Sequence, residues 1–276
     1  KMISCPYHAW SYDLDGNLKA APHIGGTNQN KPKGFNFFEH GLKPIKIHIW
    51  HDWIFINFNG KAKKFEKYAK SLISKFHDID FTKLRYAATL DFGNINTNWK
   101  FLIENFIEPY HVQFVHKTTT NQPLKDHYTI VDGVCYGSGV NVDEEDTKNS
   151  DALSVTSKYL SLFPNFIIGT YFPNQIGVYL NVPISPSLTS QKRIIYTTDG
   201  KDMSKEEIKM VKNIWWSVHK EDHEMCKRLQ EGRHSPASYD GGLLSPVWEK
   251  GVQAFQKLIV DATMKSSKSI KRKKNV

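Results

Sequence analysis

The sequence predicts an α+β fold built on an antiparallel sheet. The first 58 residues are rich in short β-like runs broken by turn residues. Beyond them, strand-like runs are grouped together and framed by a few segments of helical periodicity. A doubly wound parallel sheet needs strands and helices in regular alternation, and that pattern is absent.

The elements follow in order. "WSYDLDGNL" reads as a hairpin turning at Asp15-Gly16, and "PIKIHIWHDWIFINFNG" as further strands closing a small β unit. "KAKKFEKYAKSLISKF" (61–76) reads as one charged amphipathic helix joining domains, and "LRYAATLDF" (84–92) has strand character. In 97–116, Trp99, Leu102, Ile103, Phe106 and Tyr110 recur at helical spacing. "HYTIVDGVCYGSGV", "NFIIGTYFPNQIGVYLNVPI" and "QKRIIYTT" supply strands. A long helix spans about 204–230, opened by the Ser204/Glu207 capping-box pair and closed near Gly232. "PVWEKGVQAFQKLIVDATM" gives a last helix.

The formal charge is +9, but six of the cations lie in the last dozen residues. The basic character therefore belongs to a tail, 264–276, expected to be disordered. A solvated end is preferred there to a nucleic-acid or lipid contact, so neither nucleic acid nor membrane is an expected partner. No stretch approaches the roughly 18–20 continuous apolar residues of a membrane span, and the start, "KMISCPYHAW", has no secretory h-region. The cysteines are Cys5, Cys135 and Cys226, too sparse and widely spaced for a disulfide framework. A reducing cytoplasm fits them.

Two segments carry candidate chemistry. In "ENFIEPYHVQFVH" (104–116), His111 and His116 stand five apart. With 12 histidines in the chain such a pair arises readily by chance, and on a regular helix it would not share a face. Pro109 breaks the helix just before His111, which would let both imidazoles converge. Glu104, Glu108 and His111 share a face opposite the apolar one. The second segment is the helix at 204–230. Its apolar stripe of Val211, Trp215, Val218, Met225 and Leu229 skips one step, and Asp222 fills the gap. A carboxylate there must be salt-bridged, protonated or bound to a metal. His219 and His223, at a spacing that can itself bind metal, read as exposed neighbours. Two imidazoles and one carboxylate, His111, His116 and Asp222, would make the open-sided triad that suits non-haem Fe(II).

"CPYHAWSYDLDG" (5–16) resembles the second half of a Rieske [2Fe–2S] motif, Cys-Pro-x-His-Gly-Trp-x-Tyr, with Ala9 in place of glycine. By itself its Cys-x2-His would serve equally as a zinc half-site. "NWKFLIENFIEPYHVQFVH" resembles the catalytic signature of Rieske non-haem iron oxygenase α subunits, of the ring-hydroxylating type. "KEDHEMCKRLQEG" and "YDGGLLSPVWEKGVQAF" are similar to that family's C-terminal region. The resemblance runs from Cys5 to about residue 262. It implies the C-terminal part of an all-β Rieske domain over 1–58, then a helix-grip-like catalytic domain over 59–263, an antiparallel sheet wrapped by helices.

The resemblance also implies roles. His111, His116 and Asp222 match the iron ligands. Glu108 matches the acidic residue that links the iron site to the Rieske cluster of a neighbouring subunit, and Asn105 an asparagine near the iron. Cys5 and His8 match one cluster ligand of each kind. The upstream Cys-x-His pair is not in this chain, which begins at Lys1, so only half of the cluster's ligands are present and a fragment of a longer protein is expected. The implied chemistry is reductive activation of O2 to hydroxylate an aromatic or similar small organic substrate. Electrons would come from an NAD(P)H-dependent reductase, with or without a ferredoxin, into a homotrimer. Candidate pocket liners are Phe106, Phe114, Phe163 and Phe166, with Ile168, Tyr171, Val178 and Asn181 from strands. A glutamate at 108 is similar to the branch that oxidises quaternary ammonium compounds, which is the alternative substrate class. A non-catalytic helix-grip module binding a hydrophobic ligand is the alternative of another kind.

Overall fold

The computed structural model describes residues 1–120, 122–141, 156–171 and 173–273. The chain divides into two compact units, Lys1–Phe65 and Glu66–Val276.

In the first unit, β1 (Ile3–Ser4), β2 (Ser11–Tyr12) and β3 (Leu18–Ala20) form an antiparallel sheet, and β4 (Lys46–Trp50) pairs with β5 (Trp53–Asn57). The expected Asp15-Gly16 turn lies between β2 and β3. The Asp13 carboxylate organises it, accepting from the backbone N–H groups of Asp15 (3.0 Å) and Asn17 (2.8 Å). Gly16 sits at φ +84°, which glycine adopts without steric cost. The compact unit runs through Phe65. The Ala62 N–H returns to the Asn57 side chain, and the Phe65 ring stacks on His48 at 4.3 Å and lies 4.4 Å from Phe55.

The stretch expected to be one helix over 61–76 is broken into α1 (Phe65–Tyr68), α2 (Lys70–Ile73) and a 3-10 turn at Ser74–Phe76. Charged helix formers made the pattern look continuous. The buried residues Ala69, Leu72 and Phe76 instead hold short turns that follow the packing.

The second unit is organised on one sheet. Its strands are β6 (Arg85–Ile95), β7 (His127–Asp132), β8 (Cys135–Asn141), β9 (Thr156–Leu162), β10 (Phe166–Tyr171), β11 (Gln175–Ser185) and β12 (Leu188–Thr197). They lie in the order β6-β12-β11-β10-β9-β8-β7, every pairing antiparallel. Among the described residues, helices α3 (Trp99–Ile107), α4 (Val112–Val115), α5 (Lys205–Gly232) and α6 (Lys250–Lys273) accompany the sheet. Ile103 and Ile107 of α3 pack with Tyr136, Ile167 and Tyr179 of the sheet and with Val252 and Phe255 of α6. A second cluster joins Leu90, Ile195 and Val211, bringing α5 onto β6 and β12. The sheet thus holds α3 and α5 on apolar side chains, in agreement with the α+β expectation. Helix α6 continues through Lys273, into the span expected to be disordered, and residues 274–276 lie outside the described residues.

Helices α3 and α5 run antiparallel along a hydrogen-bonded seam. The Asn98 N–H donates to Gln230 Oε1 (2.8 Å), the Cys226 thiol lies 3.7 Å from the Phe101 carbonyl, and Asn105 Nδ2 donates to Asp222 Oδ1 (2.9 Å). The buried Thr97 hydroxyl adds a bond to the Cys226 carbonyl. The α5 N-terminus is closed by the expected capping box, Ser204 Oγ accepting from the Glu207 N–H and Glu207 Oε2 from the Ser204 N–H. Ser204→Ala should lower stability by about 1 kcal/mol in urea unfolding while leaving metal affinity unchanged, because the cap is remote from Asp222. A loss of metal affinity would mean that the cap, and not the seam, positions Asp222.

Candidate metal centre

Helix α3 stops where the sequence requires it to. Glu108 precedes a proline and is extended (φ −113°, ψ 140°). The chain restarts as the single turn α4, with His111 at its N-cap and His116 at its C-cap. The two histidines, five apart and divergent on a regular helix, now place their rings 5.3 Å apart between centroids.

Each imidazole is held from behind. Glu108 Oε1 lies 2.5 Å from His111 Nδ1, while its other oxygen accepts from the N–H groups of Tyr110 and His111. His116 Nδ1 lies 2.7 Å from Glu221 Oε2, which also accepts from the Thr119 hydroxyl at 2.6 Å. A carboxylate at Nδ1 fixes the proton there and turns Nε2 outward as a lone-pair donor. Both Nε2 atoms face Asp222 Oδ1, at 3.5 Å from His111 and 3.0 Å from His116. Among the described residues, these three side chains are the group of potential metal ligands whose atoms gather within 4.8 Å of one another. Asn105 holds Asp222 from the α3 side. Glu104, expected on the same face as Glu108, turns away and accepts from Gln256 (3.1 Å).

Burial would push the Asp222 carboxyl up, but the two imidazoles hold it well below the ordinary carboxylate range. Burial alone would likewise lower His111, and the Glu108 and Asp222 carboxylates overcome it and raise the ring to about 10. Two imidazoles, a carboxylate and two supporting carboxylates are an environment built for added positive charge. The donor set is nitrogen and oxygen with no thiolate, and three ligands leave coordination positions open, which suits Fe(II) better than a closed structural zinc site.

His219 and His223 are not exposed, as the apolar stripe suggested, but buried at 6% and 8%. Helix α5 presents a wider face to the sheet than the stripe implied, and Phe92 of β6 packs against both rings (4.6 and 5.1 Å). Leu229, placed on the stripe, is exposed, and Cys226 takes the inward position. His223 Nε2 pairs with Gln191 Oε1 (2.6 Å), and His219 Nδ1 stands 4.0 Å from Asp222 Oδ2. Burial pushes His223 down to about 4, opposed by Asp222.

A cavity of about 120 Å³ opens onto the triad. Of the expected liners, Phe106 and Tyr171 border it. Ile168 and Val178, a cross-strand pair, point to the opposite face, and the next pair, Ile167 and Tyr179, lines the cavity instead. Phe114 is exposed, Phe163 packs beside the α3–α6 core, Phe166 is only half-buried, and Asn181 bonds to Gln191 beyond the cavity. Tyr159, Arg193, Trp215 and the clamp Glu221 were missed. Arg193 was detectable, since two-residue periodicity from Ile195 puts it on the inward face of β12.

Cys5 and His8 lie in the first unit, on a turn closed by the Ala9 N–H to the Cys5 carbonyl (3.0 Å). Ala9 adopts φ +58°, the left-handed conformation that explains a glycine in the resembling motif. The other cysteines, Cys135 and Cys226, are buried in the second unit. The residues present supply one thiolate and one imidazole, which do not complete a four-ligand cluster.

An antiparallel sheet packed on helices, with two imidazoles and a carboxylate facing one cavity, has the form of a non-haem oxygenase catalytic domain. The chain belongs to the ring-hydroxylating α-subunit family, whose catalytic-domain model matches residues 77–265. It is 26% identical over 258 residues to the chloroplastic choline monooxygenase of Atriplex hortensis, covering 91% of this chain and 57% of that protein. The chain therefore spans little more than half the length of that relative. Among solved structures it is similar to the quaternary ammonium Rieske monooxygenase CntA (TM-score 0.75, 20% identity, 94% of this chain and 71% of the other). It is also similar to naphthalene 1,2-dioxygenase with bound indole (TM-score 0.63, 17% identity, 89% and 65%). These structural likenesses agree with the α+β architecture. No helix among the described residues is long and apolar enough to cross a membrane.

Two predictions follow from the geometry. Glu221→Gln should weaken Fe(II) affinity by about 10–100-fold without unfolding the chain, and an unchanged affinity would remove Glu221 from the site. The metal-free protein should also have a stability maximum near pH 6.5. His111, raised to about 10, gives stability that is complete below its ordinary 6.5 and lost as pH rises through 10. His223, lowered to about 4, gives stability present above 6.5 and lost as pH falls toward 4. Urea midpoints that keep rising from pH 7 to 10 would contradict the His111 assignment.

Proposed function

We propose that this chain carries the catalytic domain of a Rieske-type oxygenase that hydroxylates a small organic substrate at a mononuclear Fe(II) held by His111, His116 and Asp222. The observation that carries the reading is the pair of imidazoles clamped at Nδ1 by Glu108 and Glu221, with both Nε2 atoms directed at Asp222. When bound, the iron would supply reductive activation of dioxygen. The chain's own contribution is to orient the rings, to hold Asp222 through Asn105, to leave coordination positions open and to shield the substrate in a cavity. A volume of about 120 Å³ is close to the roughly 150 Å³ cavity that admits a benzene ring, which supports a small aromatic or similar substrate.

The reading extends to the whole protein. Cys5 and His8 would provide half of a Rieske [2Fe–2S] cluster, and Glu108, besides clamping His111, would stand on the electron route from a neighbouring subunit. An NAD(P)H-dependent reductase, with or without a ferredoxin, a homotrimer and a cytoplasmic location complete it. A second reading, a quaternary-ammonium monooxygenase, is supported by the choline monooxygenase and CntA likenesses. A non-catalytic binding module is less well supported. It calls for a chain that binds no iron, with Asp222 salt-bridged or protonated, whereas two imidazoles, each with a carboxylate at Nδ1, converging on Asp222 favour a metal site.

The test uses hydrogen peroxide, which supplies both the oxygen atom and the oxidising equivalents and so needs no reductase. The Fe(II)-loaded chain should convert at least one of toluene, indole and benzoate to a hydroxylated product. Asp222→Ala should lose iron and product while keeping its circular dichroism spectrum. Iron retained by Asp222→Ala, or an iron-loaded chain inert toward the whole panel, would contradict the proposal.

A further inference from the structure

Arg193 of β12 is the largest fully buried side chain among the described residues, with no exposed surface. It borders the same cavity as the metal triad. Its guanidinium lies 3.4 Å from the Trp215 ring centroid, 4.5 Å from Tyr171 and 5.1 Å from Tyr179. Nη1 donates to the Tyr179 hydroxyl and stands 3.3 Å from His219 Nε2. Gly177 on the neighbouring strand makes the space: a Cβ there would lie 2.8 Å from Nη2 and 3.0 Å from Cζ.

Among the described residues the guanidinium has no counter-charge. An arginine stays protonated even when buried, yet no described carboxylate lies within ion-pair distance, and Nε and Nη2 have no hydrogen-bond partner. Asp222 is committed to His111, His116 and Asn105, with the His219 ring between it and Arg193. A buried cation without a partner is strongly unfavourable. Two free N–H donors in a fork match a carboxylate.

We propose that the substrate carries a carboxylate, which Arg193 receives by turning its enclosed fork toward the cavity it borders, while the rest of the molecule lies against Phe106, Tyr159 and Ile167 near the triad. The proposal rests on the oxygenase reading and narrows its substrate class. It also opposes a quaternary ammonium substrate. The faces of Tyr171, Tyr179 and Trp215, which would receive such a cation, are already turned to the protein's own guanidinium, and a second positive charge would be repelled.

The experiment compares three probes of similar size, benzoate, benzamide and phenyltrimethylammonium, by anaerobic titration calorimetry on the Fe(II)-loaded chain. Iron content is measured on every sample. Benzoate should bind about tenfold or more tighter than benzamide, as a charge-assisted pair requires, and phenyltrimethylammonium most weakly. Arg193→Met should abolish the preference for benzoate over benzamide with iron content unchanged. Should that variant fail to fold, Gly177→Ala, whose methyl displaces the guanidinium, should reduce the same preference. A preference that survives these substitutions, equal binding of benzoate and benzamide, or tightest binding of the cation would each overturn the proposal. A chain that holds no iron would instead overturn the oxygenase reading beneath it.

Discussion

The antiparallel seam between α3 and α5 is the constraint on which the site depends. Its contacts climb in helical steps, from Asn98 and Gln230, through Phe101 and Cys226, to Asn105 and Asp222. Because each step is about one turn, the register at the Asn98–Gln230 contact dictates which residue of α5 stands opposite Asn105. A small side chain at Cys226 lets the helices approach, and the sheet fixes both from below through Ile103, Ile107 and Val211. A shift of one residue along either helix would take Asp222 away from the histidines.

The electrostatics follow from that placement. Asp222 is drawn into a largely buried position where a lone carboxylate would be costly. Two imidazoles offset it, and each has its own carboxylate behind it. This alternation of acid, ring and acid leaves the centre short of positive charge, which protons supply in the metal-free protein and a divalent ion would supply in the loaded one. Arg193 presents the opposite imbalance on another wall of the cavity, a cation with two unpaired donors. A divalent ion would offset acidic charge at the triad, and a substrate carboxylate would pair with Arg193 on its own wall.

Much of this was legible in the residues. Pro109 announced the break that brings His111 and His116 together, the gap in the α5 stripe exposed Asp222, and Ser204/Glu207 marked the helix start. What escaped depended on tertiary context. Glu221 adjoins Asp222, and neighbours on a helix face different ways, so nothing local shows that it reaches Nδ1 of the same His116 ring whose Nε2 faces Asp222. His219 and His223 looked solvated because their polarity hid how wide a face α5 buries. The choice between Ile168/Val178 and Ile167/Tyr179 turned on strand parity, which runs of apolar residues on both faces leave undetermined. The broken helices over 65–76 reflect packing that overrode propensity.

The most direct test of the metal assignment is anomalous diffraction at the iron edge from crystals of the Fe(II)-loaded protein. The account predicts an anomalous peak bonded to Nε2 of His111, Nε2 of His116 and the carboxylate of Asp222, with Glu108 and Glu221 still on the two Nδ1 atoms. Iron found instead at His219 and His223, or no iron among these residues, would contradict it.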